Sequence, residues 1–189
     1  SKWNIKNVKD MSYMFKGCVR LVSLDLSNFD TSQVTDMCGM FQECSSLTSL
    51  DVSKFKTNKV IDLSMMFQSV AVLTSLDVSN FDTSSSMDMY NMFGGCNSIS
   101  SLDLRNFDTS LVKDMSFMFN SCVRLKTLDV SNWNTAQVKN MTGMFQYCYN
   151  LEIIGIEKFN TKSVIDMANM FFYCKSIKSL DLSNYDVSQ

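Results

Sequence analysis

Residues 11–36 read MSYMFKGCVRLVSLDLSNFDTSQVTD, and most of the remaining chain is this stretch written again. Met11 returns every 26 residues as Met37, Leu63, Met89, Met115, Met141 and Met167. Phe15 returns as Phe41, Phe67, Phe93, Phe119, Phe145 and Phe171, with no insertion or deletion between copies. A fixed period of this length marks an architecture in which each unit buries its apolar face against its neighbours. Units starting near 11, 37, 63, 89, 115, 141 and 167 make 1–189 one repeat array. Ser1–Asn7 carry the tail of a further unit, Trp3 falling in the column of Phe29, so the chain reads as part of a longer array.

Within a unit the pattern predicts two elements. The column of Asp10, Asp36, Asp62, Asp88, Asp114, Asn140 and Asp166 admits only Asp and Asn. That choice suits a helix N-cap, whose side-chain oxygen accepts from orphan amides. Behind it, Met37, Met40, Phe41 and Cys44 sit at i, i+3, i+4 and i+7, one face of a short helix. The period then becomes alternating. Leu50 and Val52 take one side of a strand and Ser49, Asp51 and Ser53 the other. Phe29, Phe55, Phe81, Phe107, Trp133, Phe159 and Tyr185 form a ring column expected to stack as an aromatic spine. Asp30, Asp82, Asp108 and Asp186, with Asn134 and Asn160, read as turn closers.

Leu-x-x-Leu-x-Leu at 21–26 is the strand half of a leucine-rich repeat. The expected fold is therefore α/β: a right-handed leucine-rich-repeat solenoid of seven coils, each with one parallel β-strand and one short helix. Its strand face would be concave, the helix side being wider.

Composition narrows the function. The net charge is −2, which gives no bulk attraction to nucleic acid or anionic membrane. No apolar run is long enough to span a bilayer, and the N-terminus shows no signal peptide or lipobox. With no His, the chain lacks the side chain most used for proton transfer near neutrality. Repeated Ser and Asp without a singular site give no catalytic constellation, and no cofactor or metal site is expected.

The unit V-x-D-M-S-x-M-F-x-x-C-x-x-L-x-S-L-D-L-S-N-F-D-T-S resembles the 26-residue bacterial surface-protein repeat, grouped with BspA-like leucine-rich repeats. The likeness runs along the whole chain. It implies a non-catalytic binding or adhesion array, extracellular on a bacterial surface, in a lipoprotein or wall-anchored protein whose anchor lies outside this segment. It supplies no ligand residues to transfer. The sixth unit departs from the pattern, with Glu152-Ile-Ile-Gly-Ile-Glu157 in place of Leu-Asp-Leu-Ser, which predicts a break in the uniform strand face.

Because the units align with one another, variation down a column is visible. Asp25, Asp51, Asp77, Asp103, Asp129 and Asp181 form an acidic row broken at Gly155, beside hydroxyls at Ser23, Ser49, Ser75, Ser101, Thr127 and Ser179. Stacked carboxylates repel, so the row is either a contact for a cation or basic partner, or a solvated face whose oxygens accept from neighbouring amides. Tyr147, Tyr149, Phe172 and Tyr173 are an aromatic excess, mostly in columns that elsewhere hold polar or small residues. Clustered exposed aromatics mark partner contacts, or else cover the end of an array.

Cys18, Cys44, Cys96, Cys122, Cys148 and Cys174 share a column with Val70, which points to buried free thiols rather than metal ligands or disulfides. Cys38 stands outside that column as an incidental substitution, and the methionines read as core filler. The function expected is a non-enzymatic surface module that binds a protein or glycan of a host or neighbouring cell. It would use the acidic row, the aromatic group, or both. The alternative is a passive spacer holding another domain away from the envelope.

Overall fold

The computed structural model describes residues 5–186. Successive 26-residue units lie side by side in parallel register: Asp10 pairs with Asp36, Asp36 with Asp62, and so on through Asn140 and Asp166. Regular secondary structure within the units is sparse. Two short parallel strands, β1 (Thr127–Asp129) and β2 (Glu152–Ile154), pair with each other, and one 3₁₀ turn covers Ile156–Lys158. Among the described residues there is no α-helix. The leucine-rich-repeat solenoid with a strand and a helix in every coil is therefore not the fold. The handedness and concave face inferred from that template lose their basis with it.

The reason lies in two backbone columns. Tyr13, Gly39, Met65, Asn91, Phe117, Gly143 and Asn169 all have φ between 53° and 59°. Gly17, Glu43, Ser69, Gly95, Ser121, Tyr147 and Tyr173 lie between 58° and 74°. A left-handed residue every fourth position cannot continue a right-handed helix. The segment folds instead as a run of turns whose amides bond alternately within the unit and across to the next. Met14, Lys16 and Cys18 N–H groups donate to carbonyls three residues back, at 3.0–3.3 Å. Met11, Tyr13, Phe15 and Gly17 donate to the carbonyls of Asp36, Cys38, Met40 and Gln42, at 2.7–2.9 Å. This cross-unit set recurs along the chain, down to Met141, Gly143, Phe145 and Tyr147. Lateral bonding thus satisfies the backbone donors that a helix would have satisfied internally.

The predicted N-cap aspartates keep half of their expected role. Asp36 Oδ1 accepts from the N–H of Cys38 at 2.9 Å, and Ser64, Tyr90, Ser116, Thr142 and Ala168 repeat the bond in their own units. Each closes a local Asx turn with no helix behind it.

The inward residues are those the spacing indicates. Met37, Met40, Phe41 and Cys44 are fully buried, as are their counterparts in the inner units. The stacked aromatic spine, however, is the Phe15 column. Its rings run from Phe15 to Phe171 with centroids 5.7–5.9 Å apart and planes within 11° of parallel. Phe29, Phe55, Phe81 and Trp133 pack against this stack from the side at 6.2–6.4 Å. Each fully buried ring of this size contributes about 1.5–3 kcal/mol by removal from water.

On the strand side the alternation holds, with Val52, Val78, Leu104 and Val130 buried and Asp51, Asp77 and Asp103 exposed. The unit expected to interrupt the face instead supplies β2. Ile153 and Ile154 favour extended backbone, and Gly155 (φ 88°) then turns the chain where a Cβ would stand 2.3 Å from Ser131 Cα.

A buried threonine corner completes the stitching. Thr109 Oγ1 donates to the Asn134 carbonyl at 3.0 Å and accepts from the Asn134 N–H at 2.8 Å. Thr31, Thr57, Thr135 and Thr161 make the same pair of bonds to the unit that follows.

Candidate binding surface

The four late aromatic residues come together. Tyr147 and Tyr173 occupy one of the left-handed columns, with φ of 61° and 60°; Tyr147 is half-buried and Tyr173 exposed. A lateral bond from Tyr147 N–H to the Phe172 carbonyl, 2.8 Å, ties the two units at this point. Tyr147 then lies 6.1 Å from Tyr149, 5.4 Å from Phe172 and 5.6 Å from Tyr173, while Phe172 and Tyr173 meet edge to face at 4.6 Å. Lys175 Nζ sits 5.0 Å from the Tyr149 ring centroid and 5.5 Å from that of Tyr173, a cation–π clamp on both. Phe172 and Tyr173 remain 41% and 52% exposed. The result is a rigid aromatic patch with a cation at its edge.

The acidic row is placed differently. Asp25, Asp51, Asp77, Asp129 and Asp181 each accept, through Oδ1, the N–H of the serine two residues on, at 2.9–3.0 Å. Hydrogen bonding from the same serines, first by the side chain and then by this amide, holds the carboxyls below the usual carboxylate range. Asp103 is engaged by Arg105 through both oxygens, at 2.9 and 2.7 Å, and its pKa falls to about 2. One oxygen of each acid therefore closes its own turn, and the row is neutralised at Asp103.

Beside the row runs a polar groove of about 730 Å³, lined in part by Ser98, Ser100, Arg124, Lys126, Asn150 and Glu152. Sequence reasoning passed over Arg124 and Lys126. The signal was in the columns, where Ser98 and Ser100 precede these two charges by one period.

The cysteine column is buried and free at Cys44, Cys96, Cys122 and Cys148, half-buried at Cys174 and exposed at Cys18. Each thiol from Cys44 onward donates to a phenylalanine carbonyl of the preceding unit, as Cys96 Sγ does to Phe67 at 3.2 Å. Burial pushes the thiol up to about 11 at Cys44 and Cys174 and to about 12 at Cys96, so these groups are not reactive thiolates near neutrality. Cys38, read as incidental, is buried between two units. Its Sγ donates to the Tyr13 hydroxyl at 3.2 Å and accepts from Ser64 Oγ at 3.1 Å. That bond to Cys38, with burial, pushes the Tyr13 hydroxyl up to about 12.

These features define a tandem array of turn-built units, laterally hydrogen-bonded, with an aromatic patch late in the chain. The chain belongs to a family described as Mycoplasma protein of unknown function, DUF285, whose model matches residues 1–103, 49–146 and 124–189. Neither the curated proteins nor the solved structures contain a match to it.

Proposed function

We propose that this array is a non-enzymatic binding module displayed at a cell surface, and that Tyr147, Tyr149, Phe172 and Tyr173 form its contact for a protein or glycan partner. The observation that carries the reading is the four-ring patch, with Phe172 and Tyr173 exposed and Tyr147 and Tyr149 half-buried, held in place by a lateral backbone bond and by Lys175. Rigid aromatic anchors present a large contact area at small entropic cost, and such residues dominate interface energetics. The resemblance to bacterial surface-protein repeats supports the location. The acidic row is the secondary surface, since each acid keeps an oxygen for its own turn.

A labelled chain applied to arrays of glycans and of cell-surface and matrix proteins should show saturable binding. Phe172→Ala with Tyr173→Ala should weaken it by about 30-fold or more, the loss of one hot spot of ~2 kcal/mol. Changing Asp51, Asp77 and Asp103 together to Ala should leave most of the affinity. An aromatic double variant that binds like the parent removes the patch from the proposal. The regular lateral bonding equally suits a stiff spacer, and that reading prevails if no saturable ligand emerges.

A further inference from the structure

Arg124 and Lys126 depart from their columns together. The three preceding units hold Ser46 and Thr48, Val72 and Thr74, and Ser98 and Ser100 at this pair of positions, and only the unit of Arg124 has two cations there. Leu125 between them is buried, while both cations are exposed. Neither charge is neutralised by a neighbour: the one ion pair among the described residues joins Arg105 to Asp103.

The polar groove follows from this change in length. Short side chains at Thr74, Ser98 and Ser100 lie beside the two long ones and leave a trough of about 730 Å³, within the ~300–1,000 Å³ of small-ligand sites. Its floor is fixed by lateral bonds, from Lys126 N–H to the Ser100 carbonyl at 3.2 Å and from Glu152 N–H to the Lys126 carbonyl at 2.8 Å. At its side, Asn150 Nδ2 donates to the Val123 carbonyl at 2.6 Å, which holds that amide in place. Every lining side chain is polar, and Glu152 is the single carboxylate among them, against two cations.

We infer that this groove is a second binding site, separate from the aromatic patch, and that its ligand is an acidic oligosaccharide. The Arg124 guanidinium offers a planar fork of donors that matches a carboxylate or sulfate group, and Lys126 adds a point charge beside it. The hydroxyls of Ser98, Ser100 and Thr127 both donate and accept, as sugar hydroxyls do. A peptide fits less well. Strand addition needs free backbone amides, and those of Lys126 and Glu152 are already spent on neighbouring units. The groove also lacks an apolar wall on which a peptide side chain could anchor. Glu152 repels the same ligand and so limits how many acidic groups enter.

Calorimetric titration of the whole chain tests the assignment with two acidic tetrasaccharides, one bearing uronate carboxylates alone and one also sulfated. A neutral tetrasaccharide, a polyglutamate peptide and a single-stranded oligonucleotide serve as comparisons. At least one acidic sugar should bind saturably, more weakly as salt is raised, and more tightly than each of the three comparisons. Arg124→Gln with Lys126→Gln should weaken it by about 10-fold or more. Both positions are exposed, and circular dichroism matching the parent confirms that the variant is folded. Glu152→Gln should tighten binding by about 2- to 5-fold, and Phe172→Ala with Tyr173→Ala should leave it unchanged. Absence of saturable binding by either acidic sugar overturns the inference, as does equal binding of the neutral sugar or a preference for the peptide or oligonucleotide. Loss in the aromatic variant but not in the Arg124 and Lys126 variant assigns the sugar to the patch, and overturns it too.

Discussion

The turn side and the strand side of each unit bury comparable rows of apolar residues but hold their neighbours in different ways. On the turn side, every second amide from Met11 to Gly17, and in the following units down to Met141–Tyr147, crosses to the next unit. On the strand side, among the described residues, paired strands form only at Thr127–Asp129 and Glu152–Ile154. Elsewhere that side relies on packing and on isolated bonds such as Thr48 N–H to the Val22 carbonyl, 2.9 Å. The difference teaches that the half of the unit that looked helical is the structural seam. The half that looked like a sheet is a surface.

Three measurements sharpen or break that contrast. Phe93→Ala, in the middle of the ring stack and fully buried, should cost about 3–5 kcal/mol in chemical denaturation. A loss below ~1 kcal/mol would show that the stack does not hold the seam.

Thr109→Val removes both bonds that this buried residue makes to the next unit and leaves the Asn134 carbonyl and amide without that partner. It should lower stability by about 1–3 kcal/mol. Deleting a hydroxyl on the open side, Ser75→Ala, should change it by less than ~0.5 kcal/mol. Equal costs for the two would erase the distinction between seam and surface.

The smallest effect has the opposite sign. Burial, with Asp62 and Asp114 nearby, pushes the carboxyl of Asp88 above its ordinary value. The folded state therefore holds that proton more tightly than the unfolded chain. The contribution to stability falls as pH rises from the unfolded carboxylate range through the folded value. Asp88→Asn keeps an oxygen for the Tyr90 amide, as Asn140 does for Thr142, and removes the charge. Thermal melting should show the variant more stable than the parent at neutral pH, with the gain vanishing below the unfolded carboxylate range. A variant less stable at neutral pH would mean that the acid ladder draws net favourable energy from its charge.

Which side chains face inward was legible from spacing alone. The i, i+3, i+4, i+7 pattern at Met37, Met40, Phe41 and Cys44 marks the buried positions correctly, because a run of tight turns returns side chains to one face much as a helix does. What spacing does not encode is where the amides send their bonds. The left-handed columns mix Gly39 and Gly143 with Tyr13, Met65 and Phe117, so the usual glycine signal for positive φ is diluted. Asp36 and its column look like caps because a cap and an Asx turn need the same short acceptor. The threonine corner was overlooked because a buried hydroxyl and an exposed one are written with the same letter. The aromatic group was legible for a different reason. Tyr147, Tyr149 and Phe172 depart from their own columns, and in a repeat array departure is the informative event.

The left-handed columns carry one more consequence. An ideal Cβ on Gly39 would lie 2.5 Å from the Tyr13 ring, and one on Gly143 2.5 Å from the ring of Phe117. Each of these bulky rings is therefore followed, one period on, by the one residue that leaves room for it. The repeats look interchangeable on paper but form an ordered sequence of shapes. Excising the unit that carries Gly39 or Gly143 would set a ring against a side chain that does not leave that room.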